Sequence, residues 1–521
     1  MLIDYIYRML IKVVNWSSHT ILGKDLELFY LERDNWDDNY FKTLYHLHLS
    51  GNLSDDGQPQ WVGEVKILRK GQRREDDFQL KPGKIDFLDS GFCSIGQSLD
   101  YYERLSRLDK ELRYQILSAL RDIVIFPEFK NKFKNEEGLE ISLYHFLDHD
   151  DDLFALAPAM ISGDYSEIYP ADLAFKVQID GFRTAVSFNF DVPDHKYGDA
   201  EEPPTRIHAL TGKEDSGKDK FLAQLARLTF ASNDERDHLQ NDGSLDPFNI
   251  GFTKIICLSY SPTITFRVPA LYVHEKEQIT RELKIGAGRF LYCGNHDLGR
   301  ELEESLKLFN IDTDGRVWEH GIDENPFFKT NEEVTQEFVR IMEAIERDLS
   351  KQDLLDEVFE FMKKVPDLQF ITKIEFPRLR EHELAEFFEH LAGESQVLLH
   401  SVLHLILNIT PRSLVLFNSP ETYLRPTRIS FLMQCAKHLL ERQNSIMIVA
   451  TESPEILRET KSKYVTLFQK DGNGIEISTP EIETYGESLE AITAFINGSQ
   501  KNKTQGDKPH TETLENFIQD N

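Results

Sequence analysis

Cysteine is scarce in this chain of 521 residues, which contains only four. Cys93, Cys257, Cys293 and Cys435 lie far apart in the sequence, without a CxxC pair and without the cysteine-to-histidine spacing of a zinc site. The pattern predicts reduced thiols in a cytoplasmic protein.

Positive charge is also in short supply, with 59 Lys and Arg against 89 Asp and Glu, for a formal net charge of -30. Duplex binding draws on clustered Lys and Arg, so the sequence argues against a general nucleic-acid coat. The local basic run KILRKGQRR (Lys66 to Arg74) is typical of a charged strand followed by a turn, and nucleic-acid binding stays open.

A long uncharged apolar run is missing at the N terminus. MLIDYIYRMLIKVV is interrupted by Asp4, Arg8 and Lys12, is too short to cross a bilayer and has no small-residue cleavage site. We therefore expect a first strand or helix there, with no export and no membrane anchoring. Overall, 40% hydrophobic and 11% aromatic residues suffice for a folded protein, and the length predicts two or three structural units.

The spacing of apolar residues changes several times along the chain. Alternation in LELFYLERD, YFKTLYHLHLSG and QWVGEVKILRKG predicts an antiparallel sheet, and helical spacing follows at residues 98–165. LAFKVQIDGFRTAVSFNF predicts strands again, and the amphipathic run NEEVTQEFVRIMEAIERDLSKQDLLDEVFEFMKKV predicts helix. The last third alternates apolar strands and helices, which indicates a parallel sheet covered on both faces.

One short stretch carries a recognisable chemistry. TGKEDSGKDKF (Thr211 to Phe221) contains GxxxxGK between a short apolar run, RIHAL, and the apolar helix pattern KFLAQLARLTF. Strand, glycine loop and helix is the context that a phosphate-binding loop requires. The candidate nucleotide-binding residues are therefore Gly212, Lys213, Glu214, Asp215, Ser216, Gly217, Lys218 and Asp219. Asp219 stands where a serine or threonine should hold magnesium.

Further segments follow in an order that resembles one ATPase family. SLVLFNSPETYLRP is similar to a magnesium-binding strand that usually ends in Asp-Glu-Pro-Glu, FFEHLAGESQ to a signature segment, and MIVATESPEIL to a switch strand that usually ends in Thr-His-Ser-Pro. PEIETYGESLEAIT and, more weakly, FLYCGN are similar to segments of Septu-like members. Together the motifs resemble ABC-type, AAA-family ATPases of the branch that includes the SMC proteins and the OLD and Septu-type antiphage ATPases.

The resemblance implies an α/β fold: an ABC-type P-loop NTPase core with a mixed or parallel sheet and flanking helices, an N-terminal antiparallel sheet, and helical insertions. Its motifs fall within residues 1–35, 173–262 and 385–495. Six parts are expected: a β-rich part of the core at 1–97, a helical insertion at 98–165, the P-loop part of the core at 166–295, a helical subdomain at 296–385, the C-terminal part of the core at 386–497, and a flexible tail at 498–521.

The residues that carry out hydrolysis in that family are replaced in this chain. By the resemblance, Asn418 takes the place of the carboxylate that orients magnesium, Ser419 that of the glutamate that activates water, and Glu452 that of the switch histidine. In the signature-like segment, Ala392 replaces the donor serine and Glu394 the glycine that meets the partner's nucleotide. We therefore expect no intact catalytic position.

The acidic groups of the loop oppose a nucleotide. One carboxylate about 4 Å from a phosphate charge costs ~4 kcal/mol at an effective dielectric constant of ~20, about half of the ~8 kcal/mol of a micromolar site. Glu214, Asp215 and Asp219 are such carboxylates, and Lys213 and Lys220 offset part of their charge. ATP is therefore expected to bind weakly or not at all. Magnesium binding stays open, because the Asp219 carboxylate is itself a suitable ligand.

Two other features have ordinary structural interpretations. The acidic run LDHDDDLFA (Leu147 to Ala155) lacks the spacing of a calcium loop and predicts a solvated helix end. His208 and His404 lie on apolar stretches and are expected to be core histidines with satisfied hydrogen bonds rather than ligands.

Three functional hypotheses follow. The first, implied by the resemblance, is a pseudo-ATPase that acts as a scaffold or sensor subunit in a bacterial antiphage defence complex. It would form a dimer or higher homo-oligomer and work with an effector or nuclease partner in the cytoplasm. The second is an active ATPase with unusual metal ligands. The third is a nucleotide-independent module for protein interaction or nucleic-acid sensing.

Overall fold

The computed structural model describes residues 11–15, 28–36, 39–54, 57–168, 173–190, 206–263, 265–308, 326–369, 371, 380–472 and 474–496. The strands are β1 (Ile11–Val14), β2 (Phe29–Arg33), β3 (Leu44–Leu49), β4 (Gln60–Arg69), β5 (Gly83–Ile85), β6 (Phe92–Gly96), β7 (Leu173–Ile179), β8 (Val186–Phe190), β9 (Ile207–Gly212), β10 (Gly243–Asp246), β11 (Ile255–Ser259), β12 (Phe290–Gly294), β13 (Leu414–Asn418), β14 (Ile446–Ala450), β15 (Val465–Asp471) and β16 (Gly474–Ser478).

The helices are α1 (Leu99–Ser106), α2 (Lys110–Ala119), α3 (Asp152–Ser162), α4 (Lys218–Phe230), α5 (Asn233–His238), α6 (Val273–Ile285), α7 (Leu298–Leu308), α8 (Asn331–Glu346), α9 (Leu349–Met362), α10 (Glu381–Glu389), α11 (Gly393–Asn408), α12 (Pro426–Arg442), α13 (Pro454–Arg458) and α14 (Leu489–Ile496). Within the described ranges, no helix is long and apolar enough to cross a membrane.

The N-terminal strands form a six-stranded sheet in the order β5-β1-β2-β3-β4-β6. Its neighbours are antiparallel except β1 and β2, which are parallel. The strands predicted in this region are thereby confirmed, and β4 ends at Arg69 before a turn, as the basic run predicts. Residues 1–10 of the predicted first element lie outside the described residues.

Helices α1, α2 and α3 share a hydrophobic core with this sheet. Leu31 and Leu47 from the strands and Tyr101 from α1 are fully buried in it. Strands before residue 97 and helices after it thus pack together, while the division of the whole chain into six parts remains a prediction.

The predicted helix end in the acidic run is the start of α3, but Asp151 is buried there and accepts a hydrogen bond from Asn233 Nδ2 at 2.6 Å.

A second, three-stranded antiparallel sheet has the order β10-β7-β8. Strands β7 and β8 are the ones predicted from residues 173–190. Alternate residues of β7 are buried, because successive side chains of a strand point to opposite faces. The buried face packs with α4 against the central sheet.

The central sheet has seven strands in the order β12-β11-β13-β14-β9-β15-β16, all parallel except the β15–β16 hairpin. Both faces are covered, as predicted. In β13, Leu414 and Leu416 face the core formed with α4, while Val415 and Phe417 face the core formed with α8 to α12. His208 on β9 is buried and its Nε2 lies 2.9 Å from Thr466 Oγ1, as expected of a core histidine, but its Nδ1 has no hydrogen-bond partner among the described residues, so its hydrogen bonds are only partly satisfied.

The amphipathic run at residues 331–365 forms two helices rather than one. Helix α8 ends at Glu346, and α9 starts at Leu349. Between them Asp348 caps α9, because its carboxylate accepts hydrogen bonds from Ser350 N at 2.9 Å and Lys351 N at 3.4 Å. Apolar side chains of both helices join the same core.

The four cysteines are buried and none forms a disulfide, which confirms the predicted thiols. The predicted flexible tail at 498–521 lies outside the described residues.

Candidate functional site

The glycine loop joins β9 to α4, as the sequence predicts. Its backbone turns through positive φ angles at Gly212 (151°), Asp215 (59°) and Gly217 (96°). Gly217 directly precedes the first turn of α4, so the loop lies at a helix N terminus, a position that favours anions. The backbone arrangement of a phosphate-binding loop is therefore present.

Packing and backbone conformation favour glycine at both positions of the motif, most strongly at Gly212, where the close neighbour is a backbone atom. A Cβ atom on Gly212 would lie 2.3 Å from the backbone oxygen of Phe468 in β15, and one on Gly217 would lie 2.4 Å from Ile475 Cδ1 in β16. Positive φ angles add strain for any side chain at these positions. Retention of the glycines thus follows from the fold, with or without a nucleotide.

The lysine of the motif is held by groups of the protein itself. Its side chain is only 6% exposed. Lys218 Nζ lies within hydrogen-bonding distance of four acceptors: Gly212 O at 2.7 Å, Lys213 O at 3.0 Å, Ser216 Oγ at 3.3 Å and Glu452 Oε1 at 2.9 Å. An ammonium has three protons to donate, so these acceptors already occupy its hydrogen-bonding capacity.

Glu452 reaches the loop from the segment after β14, the strand next to β9 in the sheet. A second carboxylate holds that segment in place: Glu421 Oε1 accepts a hydrogen bond from Glu452 N at 2.6 Å, and its Oε2 accepts one from Thr451 Oγ1 at 2.9 Å. Burial raises the pKa of Glu421, while these hydrogen bonds oppose the rise. Glu421 corresponds to the fourth residue of the Asp-Glu-Pro-Glu pattern, and its contact with Glu452 is a role that the motif alone does not indicate.

Asn418 and Ser419 lie at the C-terminal end of β13, and β14 separates that strand from β9. Asn418 is fully buried, and its Nδ2 donates to Thr265 Oγ1 at 2.7 Å. Ser419 has a left-handed backbone (φ 46°), and its Oγ donates to Asn418 Oδ1 at 3.3 Å. Both polar ends of the amide are therefore used within the protein, and Thr265 is a partner that no sequence motif indicated.

The remaining charged groups of the loop face solvent. Lys213, Glu214, Asp215 and Asp219 are exposed. Desolvation by the surrounding protein nevertheless raises the pKa of Asp219; Lys218 opposes this rise, and Glu452 and Asp215 add to it. Asp219 and Glu452 thus both interact with the Lys218 ammonium, and Asp215 lies close enough to Asp219 to raise its pKa further.

The signature-like segment forms the start of α11 and makes its contacts elsewhere. Glu394 accepts hydrogen bonds from Arg425 N at 2.7 Å and Arg425 Nε at 2.9 Å, and lies 3.5 Å from Arg428 Nε. Arg428 Nη1 also donates to Ser395 Oγ at 2.8 Å. These bonds connect the signature-like segment to the residues that follow β13. The glycine loop has a different partner, since its lysine contacts Glu452 directly.

The sheet order, the glycine loop between β9 and α4, and the strand that separates β9 from β13 define the class: this is an α/β protein with a mostly parallel central sheet and a P-loop-like strand-loop-helix unit. No family model matches the sequence. The chain is similar to protein ea59 of Escherichia phage lambda, with 25% identity over 489 residues that cover 90% of this chain and 85% of that protein. Among solved structures it is similar to UvrA2 from Deinococcus radiodurans, with 12% identity, a TM-score of 0.28, and coverage of 65% of this chain and 42% of that one.

Proposed function

We propose that this protein is a pseudo-ATPase, in which a side chain of the protein takes the place of the nucleotide at the P-loop lysine. The observation that carries the proposal is the ion pair between Lys218 Nζ and Glu452 Oε1, 2.9 Å apart. A phosphate that approaches Lys218 has to displace this carboxylate and is repelled by it. The same pair lowers the cost of keeping an ammonium in a site where its side chain is only 6% exposed.

The residues at the end of β13 support the same proposal, because they lack the groups that would bind magnesium and activate water. Magnesium in P-loop enzymes depends on a carboxylate at this strand end, and a general base activates water beside it. Asn418 and Ser419 supply neither group, and the Asn418 amide is already bonded to Thr265. Glu421, the nearby carboxylate of the motif, uses its oxygens to hold Thr451 and Glu452.

Nucleotide binding by the full chain, measured by calorimetry with ATP and ADP in the presence and absence of magnesium, tests the proposal. We expect no binding, or weak binding that magnesium does not change. Glu452→Gln removes the competing negative charge and is expected to improve affinity for ATP by about tenfold or more, which corresponds to ~1.4 kcal/mol. Glu481→Gln, which removes one charge at an exposed position away from the loop, serves as the matched control and should leave binding unchanged.

The active-ATPase alternative gives the opposite pattern. If Asp219 ligates magnesium, the wild-type chain binds ATP more tightly with the metal, Asp219→Asn removes that gain, and Lys218→Ala abolishes a measurable rate of hydrolysis. Turnover by the wild-type chain that is lost in Lys218→Ala would refute the pseudo-ATPase proposal.

We further propose, on the resemblance to antiphage ATPases, that the chain is a scaffold or sensor subunit of a defence complex. Plating of phage on cells that carry the gene in its native locus tests this role. Deletion of the chain should abolish protection, whereas Lys218→Ala should retain it, because a pseudo-ATPase does not need a nucleotide at this lysine. Equal loss of protection in the deletion and in Lys218→Ala contradicts a nucleotide-independent role.

A further inference from the structure

A buried group of metal-ligand side chains lies on the face of the central sheet opposite α4. Cys293 at the end of β12 and His400 and His404 on α11 are each at most 4% exposed. One possible ligand atom from each residue lies within 4.8 Å of the others. The two histidines are four residues apart, so they share one face of the helix.

A carboxylate from a third element completes the group. Glu337 on α8 places Oε1 2.9 Å from His404 Nε2 and Oε2 3.7 Å from His400 Nε2. Lys329 Nζ lies 2.7 Å from Glu337 Oε2. The Sγ atom of Cys293 lies 3.7 Å from His400 Nδ1. Thiol, imidazole and carboxylate groups from β12, α11 and α8 therefore surround His400, with the thiol on its Nδ1 side and the carboxylate on its Nε2 side.

One ring nitrogen in this group lacks a partner. Tyr260 Oη lies 2.8 Å from His400 Nδ1, but His400 Nε2 has no hydrogen-bond partner among the described residues, although it is fully buried. An unpaired buried polar atom costs about 1–3 kcal/mol. A tyrosine hydroxyl on one nitrogen and a vacant lone pair on the other is the arrangement in which an imidazole acts as a metal ligand.

We propose that Cys293, His400, His404 and Glu337 bind one divalent transition-metal ion of the zinc class. Sulfur and imidazole nitrogen are the ligands that zinc prefers, and four protein ligands in a closed site are typical of structural zinc. The thiolate offsets part of the charge of the ion, and the Glu337 carboxylate is shared between the ion and the Lys329 ammonium, which lies 2.7 Å from its Oε2.

Binding of one ion by all four groups requires side-chain movements, because the thiol and imidazole ligand atoms lie within 4.8 Å of one another and Glu337 lies outside that set. In a tetrahedral site with the usual zinc bond lengths, neighbouring ligand atoms lie ~3.3–3.6 Å apart. The distances of 2.9 and 3.7 Å between Glu337 and the two imidazoles already bracket this range. The bound ion lies between His404 and Glu337. It cross-links β12, α8 and α11, the helix that begins at the signature-like segment.

The metal content of the full chain, purified without chelators under reducing conditions, is the first test. We expect one zinc ion per chain by mass spectrometry. Loading with stoichiometric cobalt(II) should give a thiolate-to-cobalt charge-transfer band together with the absorption of a tetrahedral ion. Cys293→Ser is expected to abolish that band, and His400→Ala to reduce the metal content to background.

Cys435→Ser is the matched control, since Cys435 is a buried thiol of the same core that lies outside the group. It should keep both the metal and the cobalt spectrum. A wild-type chain that holds no zinc and gives no thiolate band with cobalt overturns the proposal and leaves a metal-free hydrogen-bond network. Metal content that is equal in wild type, Cys293→Ser and His400→Ala overturns it as well. The wild-type cobalt spectrum decides the question even if a variant fails to fold.

Discussion

Asp122 is an acidic residue that the fold places entirely out of contact with water. Its Oδ1 accepts hydrogen bonds from Val124 N and Ile125 N, each at 2.9 Å, and its Oδ2 accepts one from Tyr102 Oη at 2.9 Å. Burial raises the pKa of Asp122 to about 6, although these hydrogen bonds favour the ionised form. The carboxyl group is therefore expected to gain its charge close to neutral pH.

This pKa predicts a specific change of stability with pH. Because the pKa of Asp122 in the folded chain lies above the ordinary aspartate value of 3.8, the folded state holds the proton more tightly than the unfolded state does. The protonated Asp122 side chain contributes up to ~3 kcal/mol to the free energy of unfolding below about pH 4. This contribution is lost as the pH rises through 6. Urea denaturation of the wild type and of Asp122→Asn between these pH values measures this contribution. With the contribution of Asp122 removed, the free energy of unfolding of the variant should depend less on pH.

The control for this experiment is Asp356→Asn, at an exposed position on α9. It should keep the slope of the wild-type chain. An Asp122→Asn variant with an unchanged slope would mean that Asp122 is ionised throughout the range, in contradiction to the raised pKa.

At the scale of the element, the contact between β9 and β15 explains why the first glycine of the loop is needed. Gly212→Ala would place a Cβ 2.3 Å from the Phe468 backbone oxygen at φ 151°. We expect a loss of about 1–3 kcal/mol in the free energy of unfolding, measured in urea without nucleotide, because a backbone oxygen in a sheet cannot move aside easily.

Gly393→Ala is the control for that substitution. Gly393 is the first residue of α11 and has open space around its Cβ position, so alanine should be neutral or slightly stabilising there. If Gly212→Ala is as stable as the wild type, the packing account of the loop glycine is wrong.

Most elements could be predicted from the periodicity of apolar residues, because β13 and β14 are short apolar strands between helices with a clear apolar face. The break between α8 and α9 could not be predicted, since apolar spacing continues across it and only the cap at Asp348 marks the start of α9.

Sequence patterns also identified the glycine loop and its charges. They could not identify the contact of Lys218 with Glu452, because those residues are 234 positions apart and meet only through the order of β9 and β14.

At the scale of the whole molecule, buried ion pairs join the N-terminal unit to the central sheet and its helices. Arg104 on α1 pairs with Glu282 on α6 at 2.7 Å, and both side chains are 3% exposed. Asp100 on α1 pairs with Arg289, next to β12, at 2.8 Å with the same exposure. Charges so deeply buried are stable only while both partners are present.

Removal of one partner should therefore destabilise the whole chain. Arg104→Leu leaves Glu282 buried with fewer cations around it, and we expect a loss of about 3–5 kcal/mol in the free energy of unfolding, measured by urea denaturation. In the matched exposed pair, Arg74 and Glu137 at 2.7 Å, Arg74→Leu should cost at most ~1 kcal/mol. Equal costs for the two variants would contradict the structural role of the buried pair.

The pairing of Lys218 with Glu452 also affects which of these two residues can be substituted first during evolution. Glu452 is 47% exposed, so it keeps its hydration when the lysine is lost, and Lys218 keeps three other acceptors when the glutamate is lost. Loss of the lysine leaves a hydrated glutamate, whereas loss of the glutamate leaves a buried ammonium with only neutral acceptors, so the two orders of substitution are not equivalent. Under the proposed pseudo-ATPase function, anion binding lies one substitution away at position 452, whereas hydrolysis requires new groups at Asn418 and Ser419 as well.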